Sequence, residues 1–216
     1  MTRIKFCGIT RREDAIVASE LGATHVGVIL AESPRQVSPG QANDVFSAVP
    51  LVRRVGVFRH SPVGDVIDAA RATSLDVIQM HGRFSTEDVM RLREGFDGEL
   101  WSVLPIEAGD IAISEELDAF SDLVDAILLD TLAGGASGGT GIAFNWKATQ
   151  PLAQKLAERT MVVLAGGLTP ENVAEAIGIL APAIVDVSSG VESSPGIKDH
   201  SRMKAFAESV ASASIV

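Results

Sequence analysis

One thiol and a handful of polar residues stand where apolar runs of this sequence end. Cys7 closes the run Ile4-Lys5-Phe6-Cys7 and is followed by the tight exit Gly8-Ile9-Thr10, while Asp130 closes Ala126-Ile127-Leu128-Leu129-Asp130. A thiol titrates near ~8.5 when unperturbed, so it can act as a base at neutral pH only where a neighbour or local dipole favours thiolate. The same cysteine can equally be an inert member of the core. A carboxyl after four apolar residues is costly to bury without a partner or a polar site, and an apolar surround that raised its pKa would make it a general acid. Its plainer reading is a cap or turn residue.

Two small-residue loops leave the late runs. Gly166-Gly167 follows Val162-Val163-Leu164-Ala165, and Ser188-Ser189-Gly190 follows Val185-Asp186-Val187. Glycines let backbone N–H groups approach an anion closely and hydroxyls add donors, so the pair suits a phosphate; a simple turn would explain either loop alone. Arg35, in Ser33-Pro34-Arg35, could clamp a carboxylate with two parallel hydrogen bonds or lie solvated. His81, in Gln79-Met80-His81-Gly82, could donate to a ligand or orient a loop. The stretch Gly134–Gly141 is too glycine-rich to hold a regular element and is expected as a mobile loop beside the site. It is no nucleotide loop: Ile142-Ala143 stands where a Walker motif needs Lys and Ser/Thr, and Phe144 fills the last small position of a dinucleotide fingerprint.

The elements that must position these residues repeat. Eight short apolar runs (Ile4–Cys7, His25–Leu30, Arg54–Phe58, Val77–His81, Leu100–Leu104, Ala126–Asp130, Met161–Leu164 and Ile184–Val187) alternate with segments of helical spacing. Most runs are too continuously apolar for a sheet with one wet face, so the sheet is expected to be parallel and covered on both sides. Helix starts are expected at Thr10 before Arg11–Leu21, Ser38-Pro39 before Gln41–Val49, Ser61-Pro62 before Val63–Thr73 and Thr169-Pro170 before Glu171–Leu180, each with a capping hydroxyl. Ile111–Phe120 has helical periodicity with weak caps, and a last helix near Ser201–Ala213 would finish the ring. Eight βα units in 216 residues suit a (β/α)₈ barrel in one domain, 1–216, better than an open doubly wound sheet, although counting does not prove closure. In such a barrel the chemistry collects at the carboxyl ends of the strands, where the residues named above lie.

Composition narrows the partners. The excess of 28 acidic over 18 basic residues gives a formal charge of -10, which repels nucleic acid and offers no basic face to anionic lipid. No secretory signal opens the sequence and no apolar stretch reaches membrane-spanning length, so a cytoplasmic location is expected. A single cysteine excludes an intrachain disulfide, and His25, His60, His81 and His200 are too scattered for a zinc site, so no metal is expected.

Taken in order, Lys5-Phe6-Cys7-Gly8-Ile9-Thr10, Ser33-Pro34-Arg35, Val55-Gly56-Val57-Phe58, Gln79-Met80-His81-Gly82, Gly138-Gly139-Thr140-Gly141, Leu164-Ala165-Gly166-Gly167-Leu168 and Val185-Asp186-Val187-Ser188-Ser189-Gly190-Val191-Glu192 resemble the phosphoribosylanthranilate isomerase family over nearly the whole chain. The resemblance implies an Amadori rearrangement of N-(5-phosphoribosyl)anthranilate in tryptophan biosynthesis, with Asp130 as acid, Cys7 as base and no cofactor. It also implies Arg35 on the anthranilate carboxylate and the two late loops on the phosphate, and it makes His81 and Asp186 substrate-binding residues. A phosphorylated small molecule would be the partner, met by a monomer or homodimer. Val28-Ile29-Leu30-Ala31-Glu32-Ser33 is shorter than the family pattern and lacks its aromatic residue, and Arg59-His60 and Arg83 are unusual additions near the mouth. The rival readings are a dual-substrate isomerase that also acts on the related histidine-pathway aminoaldose, against which Cys7 argues, and a non-catalytic sensor of a phosphorylated ligand.

Overall fold

Each of the eight expected runs is a strand. The computed structural model describes residues 1–82, 84–106, 120–133, 136–137 and 144–213, and in it β1 spans Arg3–Phe6, β2 His25–Ile29, β3 Arg53–Arg59, β4 Val77–His81, β5 Glu99–Ile106, β6 Ala126–Ala133, β7 Met161–Leu164 and β8 Ile184–Val187. Their order is β5-β4-β3-β2-β1-β8-β7-β6, each neighbour parallel, and the pairing of β5 with β6 from Trp101↔Ala126 to Ile106↔Thr131 closes the sheet into a barrel. That ring of hydrogen bonds settles the closure that counting left open. Ala136–Ser137 adds a short antiparallel strand against the end of β6, so a regular element does occur within Gly134–Gly141; the rest of that stretch lies outside the described residues.

Seven helices among the described residues pack outside: α1 Arg12–Glu20, α2 Pro39–Ser47, α3 Val63–Ala72, α4 Thr86–Gly95, α5 Trp146–Ala157, α6 Val173–Leu180 and α7 His200–Ala213. Alternation along the strands divides the core in two. Val55, Val77, Trp101, Leu128, Val163 and Ile184 fill the barrel, whereas Val26, Ile78, Leu100, Ile127 and Val185 face the helices. The chain is thus covered on both faces of its sheet, as the apolar runs require. The Phe6 and Phe206 rings meet at 6.1 Å and tie the last helix back to the first strand.

Three of the four expected caps take another form. Ser38 does cap α2, in a reciprocal capping box with Gln41. Thr10 instead donates its hydroxyl to the Gly196 carbonyl, and α1 starts behind Arg11 without a side-chain cap. Ser61 turns back to the Arg59 carbonyl, leaving Pro62 before α3, and Thr169 accepts from Glu171 N–H in a turn, so α6 begins only at Val173. Each hydroxyl found a nearer loop partner than the helix end. Ser85, with Asp88, forms a second capping box at α4. The helix expected over Ile111–Phe120 lies outside the described residues apart from Phe120, and Arg83 lies outside them as well. After β8 a 3₁₀ turn, Ser189–Val191, leads into an antiparallel hairpin, Glu192–Ser194 with Ile197–Lys198, which the apolar pattern did not disclose.

Candidate active site

The carboxyl ends of the strands surround a cavity of roughly 290 Å³. Its wall includes Cys7, Arg35, His81, Asp130, Gly166, Gly167, Asp186, Ser188, Ser189 and Gly190, so these ten residues expected at the site line one space. Ile29, Ala31, Val57, Leu128, Ala165 and Leu168 give that space apolar surface, and Ile29 and Ala31 occupy the stretch without an aromatic.

Cys7 follows β1 and is 7% exposed; Asp130 lies in β6 and is 5% exposed. β7 and β8 stand between these two strands round the ring, so thiol and carboxyl approach the cavity from different sides. Gly166, at φ +82°, passes so close to β6 that a Cβ there would meet the Thr131 backbone nitrogen at 2.4 Å and Asp130 Oδ1 at 2.9 Å. Only glycine combines that dihedral with that approach. The loop beyond β7 therefore lies directly against the carboxyl.

The two small-residue loops also touch each other. A Cβ on Gly190 would fall 1.9 Å from the Leu168 carbonyl oxygen, so its absence lets the loop after β8 seat on the loop after β7. Asn172 clips the earlier loop in place: its amide donates to the Gly167 carbonyl at 2.9 Å and its Oδ1 accepts from Thr169 N–H at 2.8 Å. This clamp carries no apolar or motif signal in the sequence.

Arg35 is already engaged. Its Nε and Nη2 grip Glu192 at 2.8 and 2.7 Å, and Lys198 Nζ reaches the same carboxylate at 2.9 Å. Burial pushes the Glu192 carboxyl up, but Arg35 and Lys198 outweigh it and hold the group below the usual range. A ligand carboxylate must therefore take the Nη1 side of Arg35 or compete with Glu192. Sequence reasoning passed over Glu192 and Lys198 because their meeting depends on the hairpin folding back over the first strand's exit.

Lys5 was passed over too. It is fully buried, and its Nζ lies 2.7 Å from Asp186 Oδ2 on the neighbouring strand. The signal was available: a lysine inside an apolar run, two residues before Cys7, points to the same side of the sheet as the thiol.

His81 is held neutral. Burial, then Arg59, His60 and Lys5, lower its pKa to about 4, so at neutral pH it presents one N–H and one lone pair and no charge. His25, lower in the barrel beside Trp101, is pushed down to about 3, first by burial and then by Lys5, Arg3 and Arg53. Unfolded histidine binds a proton as pH falls through about 6.5, whereas these folded rings wait until about 4 and about 3. The unfolded chain holds more protons in that window, so stability decreases as pH falls from about 6.5 toward 3. Urea unfolding at pH 7 and pH 5 should show the loss, and His25→Gln should reduce it; an undiminished loss in the variant would remove His25 as a cause.

A closed parallel barrel whose carboxyl-end cavity sets a thiol and a carboxyl beside two interlocked small-residue loops defines a (β/α)₈-barrel enzyme. The chain belongs to the N-(5'-phosphoribosyl)anthranilate (PRA) isomerase family, whose sequence profile matches residues 4–209. An N-(5'-phosphoribosyl)anthranilate isomerase of Pseudomonas fluorescens (strain Pf0-1) is 42% identical over 214 residues, 96% of this chain and 98% of its own. A phosphoribosyl anthranilate isomerase crystallised with reduced 1-(o-carboxyphenylamino)-1-deoxyribulose 5-phosphate superposes with a TM-score of 0.81 at 33% identity, over 98% of this chain and 100% of that one. Monomers generated from the dimeric Thermotoga maritima isomerase match with the same TM-score, identity and coverage.

Proposed function

We propose that this protein converts N-(5-phosphoribosyl)anthranilate to 1-(2-carboxyphenylamino)-1-deoxyribulose 5-phosphate, an aldose–ketose isomerisation in tryptophan biosynthesis, by general acid–base catalysis. The observation that carries the reading is the single cavity in which Cys7 and Asp130, on separated strands, share space with both small-residue loops.

Asp130 donates a proton to the furanose oxygen as the C1–O bond breaks and the anthranilate nitrogen forms a C1=N Schiff base. Cys7 then removes the C2 proton; the released pair forms C1=C2 and neutralises the nitrogen, giving an enolamine that tautomerises to the ketone. Arg35 receives the anthranilate carboxylate at its remaining edge, and Gly166, Gly167, Ser188, Ser189 and Gly190 hold the phosphate. Binding energy at these remote ends orients C2 toward Cys7. Neutral His81 and the free oxygen of Asp186 are left to hydrogen-bond the sugar hydroxyls between them. The protein works in the cytoplasm as one domain, 1–216, and as a monomer or homodimer; the dimeric T. maritima relative supports the second state. No helix among the described residues is long and apolar enough to cross a membrane.

The test is addition of phosphoribosylanthranilate to purified protein. Loss of anthranilate-type fluorescence that depends on the protein is expected, with the ketose phosphate as product. Saturable binding without fluorescence loss would replace the isomerase with a sensor of phosphorylated ligands.

A further inference from the structure

Lys5 occupies a place where an aliphatic side chain would be cheaper. It is fully buried in β1, and a buried ammonium is tolerated only when paired and hydrogen-bonded. Asp186, its register partner on β8, supplies the pair at 2.7 Å. The pleat turns Lys5 and Cys7 to the same face. Gly27 on β2 makes the room they share: a Cβ there would come within 2.9 Å of Cys7 Sγ and 3.2 Å of Lys5 Cε. Lys5 thus lies beside the Cys7 sulfur with its ammonium bound to the Asp186 carboxylate, a charge bridge next to the thiol. Asp186 Oδ1, buried and without a partner among the described residues, belongs to a residue of the cavity wall, which places this bridge at the site.

Other charges near the thiol are committed elsewhere. Lys198 and Arg35 approach it, but both are bound to Glu192. His25 from β2 and His81 from β4 sense Lys5 and remain neutral, and Asp130, which enters from β6, is a carboxyl and can supply no positive charge. Burial holds the Cys7 thiol above its ordinary value; Lys5 is the largest influence drawing it back without outweighing burial, and Asp186 opposes Lys5 more weakly.

We propose that Lys5, anchored by Asp186, is a positioning residue that supplies the counter-charge for a Cys7 thiolate and holds that sulfur at the cavity wall. The inference rests on Cys7 serving as the base, yet the ionisation of Cys7 can be read without turnover, so the two ideas fail separately.

Cys7 is the chain's one cysteine, so thiolate ultraviolet absorbance and iodoacetamide alkylation report on it alone. Both would be measured on wild type, Lys5→Met and the double variant Lys5→Met/Asp186→Asn, which removes both buried charges and leaves no carboxylate stranded. The thiol midpoint is expected to rise by about one unit or more in the double variant, with alkylation below both midpoints slowing about tenfold per unit, and to rise further in Lys5→Met, where Asp186 opposes the thiolate alone. The acid limb of kcat/KM should move by the same amount. A folded double variant that keeps the wild-type midpoint and alkylation rate would overturn the proposal. An altered midpoint with activity retained in Cys7→Ala would leave Lys5 as the counter-charge and remove the base assignment instead.

Discussion

Asp130→Asn is expected to lower kcat by about 10²–10⁴-fold, the range a positioned general acid supplies, while changing KM by less than about threefold. Asparagine keeps the size of the side chain and can still donate a hydrogen bond, but it cannot give up a proton at any working pH. Opening the furanose ring without that proton expels an alkoxide, which the anthranilate nitrogen alone must drive. The packing supports a clean substitution. Gly166 presses on the carboxyl from the loop after β7, so an isosteric amide is held in the same place. Steady-state kinetics together with binding of an unreactive phosphorylated analogue checks the result. Wild-type kcat in the variant would dismiss Asp130 as the acid; loss of analogue binding along with kcat would make it a structural residue.

The barrel was legible because its physics is local. Strands buried on both faces must be apolar throughout, and the eight runs coincide with β1–β8 to within one to three residues at their ends; Val77–His81, Met161–Leu164 and Ile184–Val187 coincide completely. Closure was not legible, since it depends on β5 finding β6 across the last gap in the ring, a long-range pairing with no periodicity of its own. Helix starts were read less well. A serine or threonine before a helix is only an opportunity, and Thr10, Ser61 and Thr169 each met a closer loop partner. The hairpin Glu192–Ser194 with Ile197–Lys198 escaped because its strands are too short to show alternation.

At the site, residues at strand ends could be collected from the sequence because a parallel barrel gathers them at one mouth. What they touch could not. Arg35 looked available for a ligand carboxylate, yet the hairpin returns Glu192 to it over a separation of 157 residues. Lys5, Asp186 and Cys7 meet through strand register, and Asn172 secures the Gly167 loop through a side-chain amide that no motif announces. Sequence showed which groups were present; pairing between them is tertiary.

Cys7→Ala is expected to reduce kcat by a comparable factor, about 10²–10⁴, again with analogue binding preserved, because the phosphate loops and Arg35 lie on other elements. The two variants should nonetheless slow different steps. Without Cys7 the ring still opens and abstraction of the C2 proton limits turnover, so substrate deuterated at C2 should show a primary isotope effect. Without Asp130 the ring opening limits turnover, and the same label should show almost none. Since each substitution raises its own transition state, the double variant should turn over about as slowly as the slower single variant, not at the product of the two losses. Multiplied losses would mean that acid and base act in one concerted step. A Cys7→Ala enzyme without an isotope effect at C2 would mean that another group removes the proton, and Cys7 would then be a wall of the cavity.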